Sequence, residues 1–296
     1  MIVYPFLRRL ARCLGRLGPG ALRRLARIMA SLAWRLLPAR REAAVAAVEK
    51  HLRQPRKEAL AIARRSFEEN FLSFLEIFHA AHFSTALSVS RIITPEGLAL
   101  LQAETAPIVV TTAHLGSWEL MPGLAADLLP DRQGMVVVRV QKNPALNLVM
   151  AELRGSRGMR VVDHRQASNV VVPSLRRKGL VALLADHNTS RREAVFLPFL
   201  EDTAAVTLGP ALLALRTKAA VFPVFLVRDG AEKHLLYIAN PLHTARLTGT
   251  LPERARAVAR FYTDAVAEVV KKHPEQWFWM HKRWKTRAKE EGKTGS

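Results

Sequence analysis

Residues 108–119, Ile108-Val-Val-Thr-Thr-Ala-His114-Leu-Gly-Ser-Trp-Glu119, open on a β-branched run and close on a polar turn. A run of this kind without charge reads as a strand buried on both faces, Ile108–Ala113. Gly116 allows a tight turn, Ser117 suits a helix N-cap, and Glu119 then falls in the first turn of a helix over 117–129. A strand thus hands over to a helix through a turn that carries a histidine.

The same alternation continues towards the C-terminus. Strands are expected at Met135–Val140, Met159–Asp163, Leu180–Ala185, Ala220–Val227 and Leu235–Ala239, and helices at 143–155, 167–178, 207–218 and 252–272. Strands interleaved with helices predict an α/β core, a largely parallel sheet flanked by helices. Towards the N-terminus the pattern is helical throughout, over 22–37, 42–52 and 56–80. A soft boundary near residue 95 divides a basic amphipathic helical region, 1–95, from the α/β core, 96–296.

Composition narrows the partners. The chain of 296 residues carries 45 Lys plus Arg against 25 Asp plus Glu, a formal charge of +20, yet 49% of it is hydrophobic. That excludes intrinsic disorder and leaves ample material for a core. The single cysteine, Cys13, excludes an internal disulfide and a zinc site built on several thiolates. The charge sits at the ends: residues 1–60 hold 14 basic and 3 acidic side chains, and residues 271–296 hold 8 and 3, around a nearly neutral middle. No repeat or nucleic-acid-binding signature accompanies it, so no nucleic acid partner is expected. The longest charge-free runs, Thr105–Trp118 and Ile77–Ser90, are 14 residues each, short of the roughly 18 a membrane span needs.

On a helix at about 100° per residue, Leu22, Leu25, Met29, Leu32 and Leu36 fall within a fan of roughly 80°, with Arg23, Arg24, Arg27 and Arg35 opposite. This suits a helix lying in a membrane interface, its arginines at anionic headgroups. It suits equally a surface helix packed on its own domain.

His114 and Glu119 are the chemical candidates. On a continuous helix they would diverge by about 140°. With His114 in the turn before the helix, the Glu119 carboxylate can instead fold back onto the imidazole, fixing one ring nitrogen and leaving the other to accept a proton. An ordinary strand-to-helix turn with a capping histidine is the competing reading. His79 and His82 lie three residues apart on a phenylalanine-rich helix without a convergent carboxylate, which reads as a packed pair, so no metal is expected.

The His-x4-Glu spacing resembles the H-x4-D/E motif of the glycerolipid acyltransferase superfamily. The chain further resembles one branch, the bacterial lipid A biosynthesis (lauroyl/myristoyl) acyltransferases, in Val138-Arg-Val-Gln-Lys-Asn-Pro144, Glu152-Leu-Arg-Gly-Ser-Arg-Gly158 and Leu183-Leu-Ala-Asp-His-Asn188. Val195-Phe-Leu-Pro-Phe199, Val206-Thr-Leu-Gly-Pro-Ala211 and Pro274-Glu-Gln-Trp-Phe-Trp-Met-His-Lys-Arg-Trp-Lys285 extend the likeness, which runs from about Leu37 to Arg287.

The resemblance implies a glycerolipid-acyltransferase-like fold and transfer of a fatty acyl group from acyl carrier protein to a hydroxyl of a lipid A precursor. His114 would be the general base and Glu119 its orienting carboxylate. No acyl-enzyme and no cofactor are implied, since the acyl carrier protein thioester is an activated co-substrate. Arg154 and Arg157 would contact the oxyanion or a phosphate, with Asn143 a further candidate and Arg139 equally a strand-end structural residue. Asp186 would face the same cleft, paired with an arginine or capping a loop, and Thr207 would N-cap a helix able to receive an anion. Trp277 and Trp279 are assigned mostly to the core, and Lys282, Arg283 and Lys285 to the surface. Glu201 stands where relatives commonly have a small residue, which loosens the assignment of the acceptor. The expected location is the cytoplasmic face of an inner membrane, peripheral or monotopic, with anionic lipids as partners. Acyl transfer to another lipid, or a non-catalytic basic membrane-binding protein, are the alternatives.

Overall fold

The structure, a computed structural model, describes residues 3–230 and 232–288; residues 1–2 and 289–296, the outer ends of the two expected regions, lie outside them. Four helices come first, α1 (Val3–Gly15), α2 (Pro19–Leu36), α3 (Pro38–Leu52) and α4 (Arg56–Glu76). A one-turn α5 (Thr85–Ser88), β1 (Val89–Ile92) and α6 (Pro95–Ala103) lead into β2 (Ile108–Thr112). There follow α7 (Met121–Leu128), β3 (Gly134–Val138), α8 (Pro144–Arg154), β4 (Arg160–Asp163), α9 (Ala167–Arg176) and β5 (Leu180–Leu184). The chain closes with β6 (Ala194–Phe199), β7 (Asp202–Thr207), α10 (Gly209–Thr217), β8 (Ala220–Asp229), β9 (Lys233–Ile238), β10 (Leu242–His243) and α11 (Leu251–Lys272).

The main sheet runs β1-β9-β8-β2-β5-β3-β4, with β10 paired to β8. The strands from β8 through β4 are parallel, and β9 and β10 lie antiparallel to β8. This is the α/β architecture the alternation predicts. β2 sits between β5 and β8 with every residue buried, which is why it consists of Ile, Val and Thr without a charge.

Proline, glycine and small residues shape the helical region. Pro19 and Pro38 stand in the first turns of α2 and α3, where a missing N–H costs nothing. Leu22, Ala26, Ala30 and Ala33 form the buried seam of α2. Leu25 and Met29 pack beside it, whereas Leu32 and Leu36, assigned to the same stripe, are exposed, as is Ile28. The reading of α2 as a helix packed on its own domain holds for this seam of small residues, and a leucine edge stays exposed. Residues on both sides of position 95 share one apolar cluster, in which Ala44, Val45 and Phe67 meet Ala113, Phe225 and Trp277.

Three local expectations are corrected. The helix expected over 117–129 begins as a single 3-10 turn, Trp118–Leu120, before α7; the helix expected over 56–80 gives way to a 3-10 turn at Ile77–His82. The β6–β7 hairpin was not expected, because its turn carries Leu200 at φ 54° rather than an Asn-Gly or Asp-Gly pair. No helix among the described residues is long and apolar enough to cross a membrane.

Candidate active site

The register of two neighbouring strands builds the site. β2 and β5 are parallel, with Thr112 opposite Leu184, and the Ala185 N–H still donates to the Thr112 carbonyl. Two residues further along each strand stand His114 and Asp186. Asp186 Oδ1 lies 2.8 Å from His114 Nδ1, and the His114 backbone N–H donates to Asp186 Oδ2 at 2.9 Å. The indole Nε1–H of Trp277 donates to the same Oδ2 at 2.9 Å. Asp186 is buried, while the His114 side chain keeps 27% of its surface open.

Gly116 makes the turn possible. Its φ of 62° is left-handed, and a Cβ there would stand 2.2 Å from the Leu226 carbonyl oxygen. Its N–H donates to the Gln276 carbonyl and its carbonyl accepts from Ser73 Oγ.

Glu119 is not the partner of His114, contrary to the sequence-based expectation. The 3-10 turn delivers its buried carboxylate to Arg154 at the end of α8, with Nε–Oε2 at 2.8 Å and Nη2–Oε1 at 2.6 Å. A planar guanidinium meets both carboxylate oxygens at once, a geometry an imidazole cannot offer. Burial pulls the Arg154 pKa down, but its bonds and charge contact with Glu119 leave it raised.

The electrostatics of the dyad follow from its surroundings. Burial alone would lower the His114 pKa, but the Asp186 charge and hydrogen bond, with Glu119 adding, hold it above its ordinary value. Burial would raise Asp186, and the His114 charge and hydrogen bond, the Trp277 indole and the His114 backbone N–H bring it well below the carboxylate range. His187, next in sequence to Asp186, is lowered by burial, and His281 is pushed to about 4, mainly by burial. An aromatic frame surrounds the imidazole: Trp118 at 5.5 Å and Phe278 at 6.1 Å between ring centroids, with half-exposed Phe74 against both.

The remaining candidates divide. Arg157 bonds Asp127 and the Phe83 carbonyl, away from the dyad. Asn143 is the N-cap of α8, accepting from the Ala145 and Leu146 N–H groups. Arg139 is exposed just beyond β3 and adds positive charge near His187. Thr207, expected as the N-cap, instead ends β7; Leu208 holds the N-cap position of α10, and Thr207 Oγ1 accepts from the Gly209 N–H at 3.3 Å. Trp277 and Trp279 are core residues, as expected. Arg283, expected at the surface, is buried at 1% exposure; its Nη1 donates to the Ala205 carbonyl and its guanidinium lies 5.2 Å from the Phe199 ring centroid. A cation over an aromatic ring face, with a carbonyl to accept from it, is one way a guanidinium is accommodated in a core. The negative loop at Glu201 is neutralised from the N-terminal side by Arg53 at 2.5 Å.

The chemical capacity is that of an oriented base. Asp186 accepts from Nδ1–H, so neutral His114 presents the lone pair of Nε2, which makes no hydrogen bond among the described residues. Sequence reasoning had Asp186 on the right cleft but with the wrong partner. The available signal was position: in adjacent parallel strands, residues equally far beyond paired ends meet. The fold and dyad define an α/β protein with a paired histidine and aspartate at the carboxyl end of its central strands. The chain belongs to the bacterial lipid A biosynthesis acyltransferase family, whose model matches residues 7–286. It is 26% identical over 207 residues to the lipid A biosynthesis lauroyltransferase of Escherichia coli (strain K12), covering 67% of this chain and 62% of that protein. It is 24% identical over 197 residues to that organism's lipid A biosynthesis palmitoleoyltransferase, covering 65% of this chain and 60% of that protein. It is 26% identical to a lipid A biosynthesis acyltransferase of Haemophilus influenzae over 161 residues, 53% of this chain and 50% of that protein. The matched parts thus span less than two thirds of these relatives.

Proposed function

We propose that the protein transfers a fatty acyl group from the thioester of acyl carrier protein to a hydroxyl of a lipid A precursor, with no further cofactor. His114 Nε2 takes the hydroxyl proton as the oxygen attacks the thioester carbonyl carbon. The C–S bond breaks, and the departing thiolate recovers the proton from the imidazolium. Asp186 orients His114 and stabilises its charged form. The Glu119–Arg154 pair holds a fixed charge array beside the reacting atoms. The observation that carries this reading is the His114–Asp186 contact at a strand carboxyl end, with the second ring nitrogen open.

Membrane docking fits the outer face of the N-terminal helices. Val3, Phe6 and Leu10 on α1 and Ile28, Leu32 and Leu36 on α2 are exposed apolar side chains among arginines. Tyr4 and Arg8 bond Glu152, tying α1 to the helix that ends in Arg154. A peripheral seat on an anionic inner-membrane surface is the reading these residues support.

The test is direct. Protein supplied with acyl-acyl carrier protein and an under-acylated lipid A precursor should yield the further acylated product, read by mass spectrometry, and His114→Ala should not. Equal transfer by the variant, or none by the wild type, sinks the mechanism. Sedimentation with anionic vesicles should weaken steeply with salt; binding indifferent to salt rejects the docking surface.

A further inference from the structure

The segment after α11 runs back along the catalytic turn. Leu115 and Trp277 form an antiparallel bridge, with the Phe278 N–H on the His114 carbonyl at 3.0 Å and the Gly116 N–H on the Gln276 carbonyl at 3.2 Å. Trp277 is 1% exposed and wedged among Phe199, Trp279 and Trp284, with ring centroids 4.6–6.0 Å away. Its backbone is fixed from the other side by α4. Ser66 Oγ donates to the Trp277 carbonyl at 2.6 Å and Asn70 Nδ2 donates to it at 3.2 Å. Ser66, Asn70 and Ser73 are wholly buried, and Ser73 reaches the Gly116 carbonyl at 2.6 Å. Spacings of four and three residues put these three polar groups on one face of α4. Burying polar donors costs free energy unless they are paired, and the Ser66 and Ser73 hydroxyls and the Asn70 Nδ2 find their partners on the His114 turn and the segment that covers it, while Asn70 Oδ1 stays without one.

We propose that Trp277 is a positioning residue whose indole N–H fixes the Asp186 carboxylate so that Oδ1 faces His114, an inference that rests on the acyl-transfer reading above. Asp186 has two oxygens and several possible rotations. The indole and the His114 backbone N–H both occupy Oδ2, which leaves Oδ1 for the imidazole. An indole donates and never accepts, so it bonds a carboxylate oxygen and disfavours a proton on it. It also draws off part of the carboxylate's charge. An Asp186 without that donor would hold the imidazolium more tightly, and His114 would become a free base only at higher pH. Trp277 thereby sets both the direction and the strength of the hold on His114.

The other charged groups around the dyad leave this effect separable. Glu119 raises His114 and Arg154 lowers it. His187, His281 and Arg283 face Asp186 from the end of β5 and from the C-terminal segment, and Arg139 acts on His187. None of them touches the indole N–H, so a change confined to that one group reads its contribution alone.

Trp277→Ala would open a large cavity and report only on folding. The decisive variant places β-(3-benzothienyl)alanine at 277 in the full chain, which keeps the ring shape and exchanges the N–H for sulfur. Histidine-labelled protein, with His114 assigned by comparison with His114→Gln, is titrated by NMR, and the pH dependence of acyl transfer is measured alongside. The His114 midpoint should rise by about half a unit or more, with the unfolding temperature almost unchanged. The rate at neutral pH should fall about threefold or more, and the high-pH plateau should stay within about threefold of wild type. A midpoint that stays in place or falls overturns the proposal. The imidazole titration needs no substrate, so if the wild type transfers no acyl chain, the functional reading fails while this test still decides for or against Trp277.

Discussion

Two buried carboxylates, Asp186 and Glu119, meet different partners near the His114 turn, and those partners separate them. Asp186 holds His114 at 2.8 Å, and Glu119 holds Arg154 at 2.6 Å. An imidazole gains and loses a proton near neutral pH, whereas a guanidinium keeps its charge throughout. In the proposed mechanism the first pair moves a proton, whereas the second holds charge in place. In an H-x4-E sequence the glutamate looks like the natural companion of the histidine. Here strand register gives that place to Asp186 instead.

Removing the His114–Asp186 pair should have the largest effect. His114→Ala should reduce kcat by about 10²–10⁴-fold. Asp186→Asn should cause a loss of similar size, because an amide can donate to Nδ1 and favour the wrong tautomer. The sign of the accompanying pH change is fixed. Asp186 raises the His114 pKa, so in Asp186→Asn the midpoint of the rate's rise with pH should move down while the plateau collapses. A plateau within about threefold of wild type would return the orienting role to Glu119.

The fixed pair should fail differently. Glu119→Gln leaves the Arg154 guanidinium largely buried without its counter-charge and should cost about 2–4 kcal/mol in denaturant unfolding. The double variant Glu119→Gln with Arg154→Gln should regain much of that loss. Glu119 also raises His114, so the single variant should lower the His114 midpoint, by less than Asp186→Asn does. A single variant as stable as wild type would mean that the pair contributes nothing to the fold.

The contrast extends to histidines. His114, bonded to a carboxylate, stands above its ordinary pKa, while His51 is pushed down to about 4, mainly by burial, with Lys50 adding to it. His51 stacks on Trp284 at 3.5 Å between centroids, and its Nδ1 is buried without a hydrogen bond. Above about pH 6.5 it is neutral in both folded and unfolded chains and adds no pH dependence. Between about 6.5 and 4 the unfolded chain takes up a proton that the folded chain refuses, so stability falls as the pH falls. His51→Phe keeps the stacked ring and should remove about 2 kcal/mol of that acid loss, read from unfolding free energies at pH 7 and 4.5.

What the sequence carried depended on the range of the interaction. The alternation of β-branched runs and amphipathic segments is local, and it placed β2, β4, β5 and β8 within a residue or two at most ends. His114 was legible because Gly116 and Ser117 announce a turn at the end of a buried strand. The His114–Asp186 contact spans 72 residues and rests on β5 lying beside β2, which no local pattern states. Arg283 misled for a related reason. A charge next to Lys282 and Lys285 looks solvated until the fold brings Phe199 under its guanidinium. Asn143, in contrast, sits directly before Pro144 with helix-forming residues beyond, and its capping role was there to be read from neighbours alone.

Length alone does not decide what an ion pair contributes, and one pair in the molecule isolates the point. Arg260 Nε meets Asp264 Oδ2 at 2.6 Å on α11, the same distance as Arg154 Nη2 to Glu119 Oε1. The α11 side chains are 49% and 52% exposed, against 20% and 4% for the pair in the site. In water the Coulomb attraction is screened, and holding two long side chains together costs rotamer freedom, so an i,i+4 pair stabilises a helix by only about 0.3–0.5 kcal/mol. Arg260→Gln should therefore lower stability by a few tenths of a kcal/mol, vanishing at high salt, at the same distance for which Glu119→Gln should lose several times more. Unfolding both variants side by side at low and high salt checks it. Equal losses at low salt would mean that burial adds nothing to the Glu119–Arg154 pair, and the distinction between a charge held in the site and a charge held in solvent would fall with it.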